Sequence, residues 1–421
     1  MTKDLFNINN RVLVAIDVAK ARNDVLVELP NGTRKKLKVA NMAKDYQEFI
    51  QFLKSFDLPC EVGLEATANY HRNIAYQLQI AGFKVHLISA LAAARTREAL
   101  HNSWDKNDPK DAQVILHLLK TNIVQKYCDP LIHKFHDIQE ISKTYHQISL
   151  RKVKVQHSIV NHYLTLYFPE AEKYLHSTRA KWFSSLLLRF PTPSSIIKYS
   201  FEEFVKAAWD TSGRKVSKMN WLEDFYFTAK NSIGLPVSED SQSINMFRIV
   251  LKEHQALCQT QKEIEDTAEN YLKDNPDYHY LKSIPGIGPI IALTVLAEGG
   301  DLRRFNHHRQ FLKFCGFDLC THQSGIFRGQ SKLSKYGNAK LRYVFWLAAT
   351  VALRMRENSF RTKYENYIKR DPLNADLKRK AYTAVAAKMA RVAYSVVKTQ
   401  TNYRCYHESV IPSGGIASVG P

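Results

Sequence analysis

The stretch from Arg11 to Lys20 constrains the fold more than any other part of the chain. Its middle, Val12 to Ile16, is a run of β-branched and aliphatic residues, which is typical of a strand buried on both faces. Asp17 follows at the carboxyl end of that strand. A buried carboxylate is costly unless a cation or hydrogen-bond donors stabilise it. Asp17 is therefore either the cap of a turn or part of a charged site, and later residues bear on the choice.

The residues after this strand predict an α/β domain. Short alternating or apolar runs predict strands, and spacings of three and four predict helices between them. The further strands are expected at 24–29, 35–39, 61–64 and 84–88, and the helices at 42–56 and 72–81. Three meandering strands followed by helix, strand, helix and strand is the order of a ribonuclease-H-like domain. We expect this domain to end near residue 125.

Four carboxylates can converge in such a domain. Asp17 follows the first strand and Glu65 follows the fourth, and these two strands are neighbours in a ribonuclease-H-like sheet. A helix is predicted over 109–120 with Asp108 as its cap, and the spacing of three brings Asp108 and Asp111 to one side of its first turn. Closely packed carboxylates repel unless cations lie between them, and oxygen ligands suit Mg²⁺ or Mn²⁺. Two such ions can flank a phosphate during phosphoryl transfer.

The charge of the chain indicates a polyanionic partner. Its 421 residues include 60 Lys and Arg against 40 Asp and Glu, a net charge of +20. Such an excess favours nucleic acid over a membrane surface, and no apolar run is long enough to span a bilayer. The first residues lack a signal-peptide core, and six irregularly spaced cysteines fit reduced thiols. We therefore expect a cytoplasmic, nucleic-acid-binding protein.

Two long helices are predicted in the middle of the chain. Apolar residues recur near heptad spacing over 132–171 and again over 244–272. Two such helices flanking an insert suggest an antiparallel coiled-coil arm, which could also dimerise. The insert between them is rich in aromatic residues, which form a hydrophobic core more often than a nucleic-acid surface.

A glycine-containing turn opens the last third of the chain. Residues 281–289 place Gly286 and Gly288 between two apolar stretches, which resembles a helix–hairpin–helix. The glycines would let backbone N–H groups approach phosphate oxygens without sequence preference. A plain helix–helix turn is the alternative. The chain after residue 400 is expected to be disordered.

A candidate nucleophile lies in a polar loop of the same region. Ser324 is flanked by glycine and followed by three cations, Arg328, Lys332 and Lys335. A hydroxyl in such surroundings could attack a phosphodiester, because nearby cations lower its effective pKa and stabilise the developing charge. A loop serine is more often inert, however, and Ser331 and Ser334 share the neighbourhood. The residues alone leave the choice of serine open.

A zinc site is a weaker hypothesis for this region. Cys315 and Cys320 lie near three histidines, His307, His308 and His322. The spacing fits no familiar zinc finger, and Cys315 falls in an apolar helical stretch. Zinc is therefore not favoured.

The order of several short blocks resembles one known family. The blocks are residues 15–20, 63–67, 106–112, 284–289, 323–325 and 334–342, together with Phe305 and Gly316. With these residues in view, the chain resembles transposases of the insertion sequence 110 family, the DEDD-type recombinases related to the Piv invertases. The blocks cover roughly residues 11–125 and 280–355. No single block is specific, but their joint order is.

The resemblance implies a division of labour along the chain. It implies a RuvC-like catalytic domain at 1–125, a helical coiled-coil linker with an insert at 126–275, and a mostly helical transposase domain with a helix–hairpin–helix at 276–400. Asp17, Glu65, Asp108 and Asp111 would hold Mg²⁺ or Mn²⁺, and Ser324 would become covalently linked to DNA. The residues expected to contact nucleic acid are Gly286, Gly288, Arg328, Lys332, Lys335 and Arg342.

The resemblance also implies partners. A structured guide RNA would pair with donor and target DNA, and the active site would be completed in a homodimer or homotetramer. Two other functions remain open. A RuvC-like junction nuclease or resolvase would use water as nucleophile and would not need Ser324. A non-catalytic nucleic-acid-binding protein would use the hairpin and basic helices alone, which the complete set of four acids argues against.

Overall fold

The computed structural model describes residues 10–101, 108–174, 181–211, 218–321, 323–324, 327–329, 331–355 and 358–404. The chain forms two compact units, Met1–Lys134 and Phe135–Pro421. Within the described ranges, no helix is both long enough and apolar enough to cross a membrane.

The first unit is built on a six-stranded sheet with the order β3-β2-β1-β4-β5-β6. The strands are β1 Val12–Asp17, β2 Arg22–Glu28, β3 Arg34–Ala40, β4 Cys60–Glu65, β5 Lys84–Ile88 and β6 Gln125–Lys126. β1 pairs with β2 in antiparallel fashion and with β4 in parallel fashion. This is the order and direction of a ribonuclease-H-like sheet, so the predicted first five strands and the β1–β4 neighbourhood are confirmed.

Helices cover both faces of this sheet. They are α1 Ala43–Lys54, α2 Tyr70–Ile80, α3 Ala90–His101 and α4 Asp108–Lys120. Val14 and Ile16 of β1 belong to the core under α1 and α2, whereas Leu13 and Ala15 belong to the core under α3 and α4. Successive side chains of a strand point to opposite faces, so β1 is buried on both, as its composition predicts. The helix α3 was not predicted.

Gly63 allows α4 to lie close against β4. A Cβ atom built on Gly63 would be 2.7 Å from Leu119 Cγ, well inside van der Waals contact. Leu119 is itself 2% exposed and packs in the same core as Ala15. A glycine at this position therefore sets the spacing between the sheet and the helix that carries Asp111.

The second unit is mostly helical. Its helices are α5 His136–Ser158, α6 Thr165–Tyr167, α7 Lys181–Arg189, α8 Pro193–Ile197, α9 Phe201–Ala208, α10 Lys218–Lys230, α11 Gln242–Leu272, α12 Pro276–Lys282, α13 Pro289–Gly299, α14 His308–Phe314, α15 Ala339–Ala352, α16 Ser359–Ile368 and α17 Ala375–Thr399. Four two-residue strands lie between α14 and α15: β7 Leu319–Cys320, β8 Gln323–Ser324, β9 Phe327–Arg328 and β10 Lys332–Leu333. Shorter 3₁₀ segments are Pro169–Tyr174, Trp209–Thr211 and Leu302–Arg304.

The two long helices α5 and α11 form an antiparallel pair. Tyr271 donates to Asp137 at 3.0 Å, and Tyr145 donates to Glu265 at 3.0 Å, so residue numbers rise on one helix as they fall on the other. The first helix is shorter than the predicted span 132–171. It ends at Ser158 and continues as a π-helical segment, Ile159–Leu164.

The π-helical segment has a packing reason that periodicity does not reveal. Tyr163 stacks on Phe247 of α11, with 4.8 Å between the ring centroids. Ile159 and Leu164, at its ends, are buried in the same core. A wider turn thus lets the chain bury residues at a spacing that a regular α-helix would not align.

The aromatic insert forms a hydrophobic core, as favoured from the sequence. Phe183, Phe204 and Phe225 are almost completely buried. Trp221 stacks on Phe225 with 4.8 Å between centroids. These rings pack around the start of α11, where Phe247 and its neighbours complete the cluster.

Candidate active site

Asp17 and Glu65 end two neighbouring parallel strands at the same level of the sheet. Ile16 of β1 is the register partner of Leu64 of β4, so the next residues along the two strands are Asp17 and Glu65. On the other side, Asp17 is the register partner of Asp24 on β2. Register partners share a face, so three acidic residues follow one another across this edge. Asp24 was not singled out from the sequence. The signal that could have identified it is its position at the start of the second predicted strand, which pairs with the strand that ends at Asp17.

The first turn of α4 lies at the same edge. Lys120, at the far end of α4, contacts Glu28 at 2.6 Å, and Glu28 is opposite Leu13 near the start of β1. Ala112, near the beginning of α4, lines a groove beside Asp24. The rise from Asp111 to Lys120 is about 13.5 Å for a helix, and four residues of β1 span about 13 Å. α4 therefore runs antiparallel to β1 and starts beside Asp17.

This arrangement brings the backbone positions of the four predicted acids to one end of the sheet. Asp108 begins α4, but its side chain lies outside the described part of the structure. Asp17 and Glu65 are half-buried, and Asp111 is 2% exposed. The amino end of a helix carries partial positive charge, which favours carboxylates beside it.

The acids at the opposite end of the same face are neutralised. Glu61 forms an ion pair with Arg11 at 2.7 Å. Glu28 contacts Lys120 at 2.6 Å and Arg34 at 2.8 Å. Burial raises the pKa of Glu28, but these two cations outweigh burial and the net pKa is lowered.

The acids at the carboxyl edge are treated differently. Neither the Asp24 nor the Glu65 side chain has a hydrogen bond or ion pair with a residue of the described ranges. They lie one strand away from Asp17 on either side. Asp24 and Glu65 thus differ from Glu61 and Glu28, which are both paired with cations.

Asp111 is held by an arginine of α3. Arg97 approaches Asp111 Oδ1 with Nε at 2.7 Å and Nη2 at 2.6 Å. The second carboxylate oxygen, Oδ2, is buried and has no hydrogen-bond partner among the described residues. A buried acceptor without a partner is unfavourable, so this oxygen is available to a ligand. No local sequence signal links Arg97 to Asp111.

The loop after Asp17 is fixed by a side chain from β3's end. Asn41 Nδ2 donates to the carbonyl oxygens of Ala19 at 2.9 Å and Lys20 at 2.8 Å. Asn41 Oδ1 accepts from Asn23 at 2.7 Å, and Asn23 is completely buried. These bonds hold the backbone that leaves the acidic edge.

The carboxylates at this edge are of the chemical type that binds divalent cations. Carboxylate oxygens are the ligands that Mg²⁺ and Mn²⁺ prefer, and Asp111 Oδ2 is an unsatisfied example. Among the described side chains, no group of three or more His, Cys, Asp or Glu is gathered closely enough to hold a metal ion. Asp108 does not enter that search, because its side chain is not described.

Ser324 lies in a pair of very short hairpins in the second unit. β7 pairs with β10, and β8 pairs with β9, so that Ser324 is the register partner of Phe327. The side chains of Ser324 and Arg328 are outside the described part of the structure. Lys332 and Lys335 are exposed in the segment that follows.

Of the two alternative serines, Ser331 has a hydrogen-bond partner and Ser334 has a buried hydroxyl. Ser331 Oγ is 2.6 Å from Thr321 Oγ1. Ser334 Oγ is buried and has no partner among the described residues, while its backbone N–H donates to the Asp318 carbonyl oxygen at 2.7 Å. An enclosed hydroxyl cannot meet a phosphodiester without a rearrangement, which makes Ser334 the weaker candidate.

Arg342 braces the loop that carries these serines. Its Nη1 donates to the carbonyl oxygens of Cys315 at 3.3 Å and Lys335 at 3.1 Å. Gly316 has φ +76°, and a Cβ atom there would be 2.3 Å from Arg342 Nη1. The block around residues 334–342 therefore has a structural role. The predicted nucleic-acid contact of Arg342 would have to be made by the rest of its guanidinium.

Asn338 joins this block to α13. Its Oδ1 accepts from the Leu341 N–H at 3.0 Å and caps α15, and its Nδ2 donates to Glu298 at 2.7 Å. Glu298 also pairs with Lys340 at 2.9 Å. The start of α15 is thus tied to the end of α13.

The two glycines of the predicted hairpin have different surroundings. Gly286 has φ +87°, and a Cβ atom there would be 2.3 Å from the carbonyl oxygen of Ala348 in α15. Gly288 is the N-cap of α13, and a Cβ atom there would meet nothing within 4 Å. Close packing explains Gly286, whereas Gly288 is the glycine with open space beside it.

The zinc hypothesis does not fit the packing of its cysteines. Cys315 is completely buried in the apolar core of the second unit, whereas Cys320 is exposed. Burial raises the pKa of the Cys315 thiol, which disfavours the thiolate that zinc requires. His322 lies outside the described residues.

Two family models match the chain. Residues 14–169 match the model of DEDD transposases of IS110 elements, described as "Transposase". Residues 278–365 match the model described as "Transposase IS116/IS110/IS902 family". The first match begins within β1, extends beyond α4 and contains all four acids, and the second contains the hairpin glycines and the loop of Ser324.

Curated relatives agree with these matches. The "Mini-circle putative transposase for IS117" of Streptomyces coelicolor is 26% identical over 75% of this chain and 78% of the relative. The "Transposase for insertion sequence element IS1111A" of Coxiella burnetii is 32% identical over 34% of this chain and 38% of the relative. Among solved structures, Thermus thermophilus RuvC with a Holliday junction substrate aligns with 28% of this chain and 99% of its own, at 9% identity and a TM-score of 0.21.

The mixed sheet with its acidic edge and the family matches together define a DNA transposase, an enzyme that recombines DNA. The chain belongs to the IS110 family of these enzymes, as its sequence blocks predicted.

Proposed function

We propose that the protein cleaves, exchanges and rejoins DNA strands through a divalent-metal site at the carboxyl edge of β1 and β4 and a covalent phosphoserine intermediate at Ser324. The observation that supports this proposal most is the common position of Asp17, Glu65 and the first turn of α4 at one end of the sheet. A cluster of carboxylates at that end, in which Asp111 keeps one unsatisfied oxygen, in a chain of net charge +20, suits a metal-dependent phosphoryl-transfer site.

Asp17, Glu65, Asp108 and Asp111 are the residues that would hold Mg²⁺ or Mn²⁺. Such ions neutralise phosphate oxygens and stabilise the charge that develops during phosphoryl transfer. Within the protein, Arg97 holds one oxygen of Asp111 and leaves the other free to bind. Asn41 keeps the loop after Asp17 in place.

Ser324 is the proposed nucleophile. Its hydroxyl oxygen would form a bond to the phosphorus of a DNA phosphodiester while the bond from that phosphorus to a deoxyribose oxygen breaks. The hydroxyl proton passes to the departing oxygen. A hydroxyl at another strand end then reverses the step, which joins the strands without an external energy source. Nearby Arg328, Lys332 and Lys335 would stabilise the developing negative charge.

We further propose the partners that the family resemblance implies. The protein would act in the cytoplasm on double-stranded donor and target DNA, guided by a structured RNA. It would work as a homodimer or homotetramer, in which the antiparallel pair α5 and α11 acts as a coiled-coil arm. The turn at Gly288, with open space beside it, is the proposed phosphate contact of a helix–hairpin–helix.

Covalent trapping tests this proposal. Purified protein is incubated with the RNA that flanks its element, Mg²⁺ and end-labelled donor and target DNA, and is then run on a denaturing gel. The wild type is expected to give a labelled protein–DNA band, and Ser324→Ala and Asp17→Ala to lose it. Ser331→Ala and Ser334→Ala are the matched controls from the same loop and should retain the band.

The other outcomes decide between the alternatives. Cleavage without any adduct that persists in Ser324→Ala, but still requires Asp17, would identify a nuclease that uses water. An adduct lost in Ser331→Ala instead would move the nucleophile to Ser331. DNA binding without metal-dependent cleavage by the wild type would indicate a non-catalytic binding protein.

A further inference from the structure

A row of cations continues the acidic face of the sheet beyond β2. Lys38 of β3 is the register partner of Asp24, and Lys36 is the register partner of Leu26. Because register partners share a face, both lysines lie on the face that carries Asp17. β3 is the edge strand of the sheet, and both lysines are exposed.

A groove runs between this row and the beginning of α4. It has a volume of about 440 Å³. The residues that line it are Arg22, Asp24, Val25, Leu26, Lys36, Leu37, Lys38 and Ala112. Three of these lining residues are thus cationic, and the one carboxylate among them, Asp24, lies on the side of the acidic edge.

The three cations of the groove are not used by the fold. Arg22, Lys36 and Lys38 are exposed, and none of their side chains has an ion pair or hydrogen bond with another residue of the described ranges. Arg34, on the same strand, behaves differently because it pairs with Glu28 at 2.8 Å. Three cations against one carboxylate, Asp24, which faces Lys38 across the ladder, leave the groove with a net positive charge that favours a polyanion.

The groove lies close enough to the acidic edge for one nucleic-acid strand to contact both. Neighbouring strands lie about 4.8 Å apart, so β3 is about 10 Å from β1 across the sheet. A phosphodiester at Asp17 and Glu65 would therefore leave the adjoining phosphates of the same strand above β2 and β3. The sign of the charge changes over that distance from negative to positive.

We infer that Arg22, Lys36 and Lys38 form a phosphate-binding track that holds the DNA strand leading to the acidic edge. This inference rests on the proposed function, because the acidic edge must be the place of cleavage for the track to lead there. Contacts of this kind carry no base specificity. They fix the register and direction of the strand relative to Asp17 and Glu65.

Edge protection is a competing explanation of the lysines. Charged residues on an edge strand discourage pairing with a second chain. That explanation applies equally to Lys35, which directly precedes Lys36 on β3 but lies on the opposite face. Lys35 Nζ is 5.5 Å from the ring centroid of Phe52 and 5.7 Å from that of Phe56. Lys35 is therefore the matched control.

The test is the salt dependence of DNA binding. Full-length wild type, Lys36→Gln, Lys38→Gln, the double variant and Lys35→Gln are titrated onto fluorescent duplex DNA between 50 and 200 mM salt, in EDTA so that no cleavage intervenes. Each lost phosphate contact lowers the slope of log K against log salt by about 1. We expect that change in each single track variant, about twice that change in the double variant, and none in Lys35→Gln. The loss of affinity should be the same for unrelated DNA sequences.

Three results would overturn the inference. The first is an equal slope change in Lys35→Gln, which would reflect net charge alone. The second is an unchanged slope in the double variant, while the wild type still forms its DNA adduct, which would leave the proposed function intact. The third is a change seen with structured RNA but not with DNA. Conversely, the expected slopes from a wild type that forms neither cleavage product nor adduct would uphold the phosphate contacts of Lys36 and Lys38 but reject the proposed function and the role of these contacts in leading DNA to a place of cleavage. Thermal unfolding of each variant checks that these exposed substitutions leave the fold unchanged.

Discussion

Arg97 and Asp111 form an asymmetric pair at the start of α4. Both nearby guanidinium nitrogens approach the same oxygen, Oδ1, at 2.7 and 2.6 Å. Oδ2 is buried and has no partner among the described residues. One half of the carboxylate is therefore anchored by the protein, and the other half is left for a ligand.

Arg97→Ala is expected to destabilise the first unit strongly. Asp111 is 2% exposed, so removing the arginine leaves a buried charge without compensation. Breaking a buried ion pair in this way costs about 3 kcal/mol or more. Denaturant unfolding measures the loss. Arg379→Ala is the control, because Arg379 and Asp376 form an ion pair that is largely exposed and should contribute little. Equal stabilities of Arg97→Ala and wild type would show that the pair does not form.

Substitution by alanine is expected to lower the stability of the protein at Gly286 but not at Gly288. Gly286→Ala combines a positive φ with a Cβ atom 2.3 Å from the Ala348 carbonyl oxygen, so we expect a stability loss. Backbone strain and overpacking together cost about 3 kcal/mol. Gly288→Ala meets nothing within 4 Å and should unfold like the wild type. If Gly288→Ala nevertheless weakens DNA binding, the turn contacts phosphate. A stable Gly286→Ala would contradict the close packing on α15.

Stability is expected to fall as the pH drops below about 6.5. Burial lowers the pKa of His254 below its usual 6.5, and nearby Lys152 lowers it further. The unfolded chain then binds more protons than the folded one, so the free energy of unfolding rises with pH up to that value and is lost towards acid. His71 and His86 are shifted in the same direction, in each case mainly by burial.

The measurement is the free energy of unfolding between pH 5 and 8. His254 lies 2.8 Å from Ser184 Oγ, so His254→Gln keeps a polar partner and should flatten the pH dependence. The imidazole signal of His254, followed by NMR, provides a second readout that does not depend on the stability of the variant. A titration midpoint at or above 6.5 would contradict the prediction.

Divalent cations are expected to stabilise the folded protein. A ligand that binds only the folded state adds about 2.7 kcal/mol at a concentration of 100 times its dissociation constant. Thermal unfolding with Mn²⁺ should therefore occur at higher temperature than with EDTA. Glu65→Gln should lose this response but unfold in EDTA at the same temperature as the wild type or a higher one, because one repelling charge is gone. An Mn²⁺ response that survives in Glu65→Gln would exclude Glu65 as a ligand.

The sheet could be predicted from sequence because its signals are local. The apolar run of β1, the alternation of β2 and the turn at Gly32 each reflect a few consecutive residues. The order of elements then placed Glu65 beside Asp17, and the register of β1 and β4 agrees. The position of Asp111 followed from the helix that Asp108 begins.

Other parts of the site depend on contacts between distant residues. Arg97 belongs to a helix whose residues show no strong amphipathic pattern, and only the packing of α3 on α4 brings it to Asp111. The cations Lys36 and Lys38 read as ordinary exposed residues of a strand until their register with β2 is known. The two-residue strands around Ser324 are too short to produce a periodic pattern.

The helix α11 belongs to both hydrophobic cores of the second unit. Phe247 and Leu251, near its start, pack in the aromatic insert, whereas Ala268 and Leu272, at its end, pack with the core that supports the loop of Ser324. Its 31 residues make a continuous rod about 46 Å long. The number of residues in such a helix sets both the distance and the rotation between the cores at its two ends. One inserted residue would turn the two cores by about 100° relative to each other, whereas seven would nearly restore their alignment. The length of α11 therefore determines how the insert is oriented relative to the serine loop.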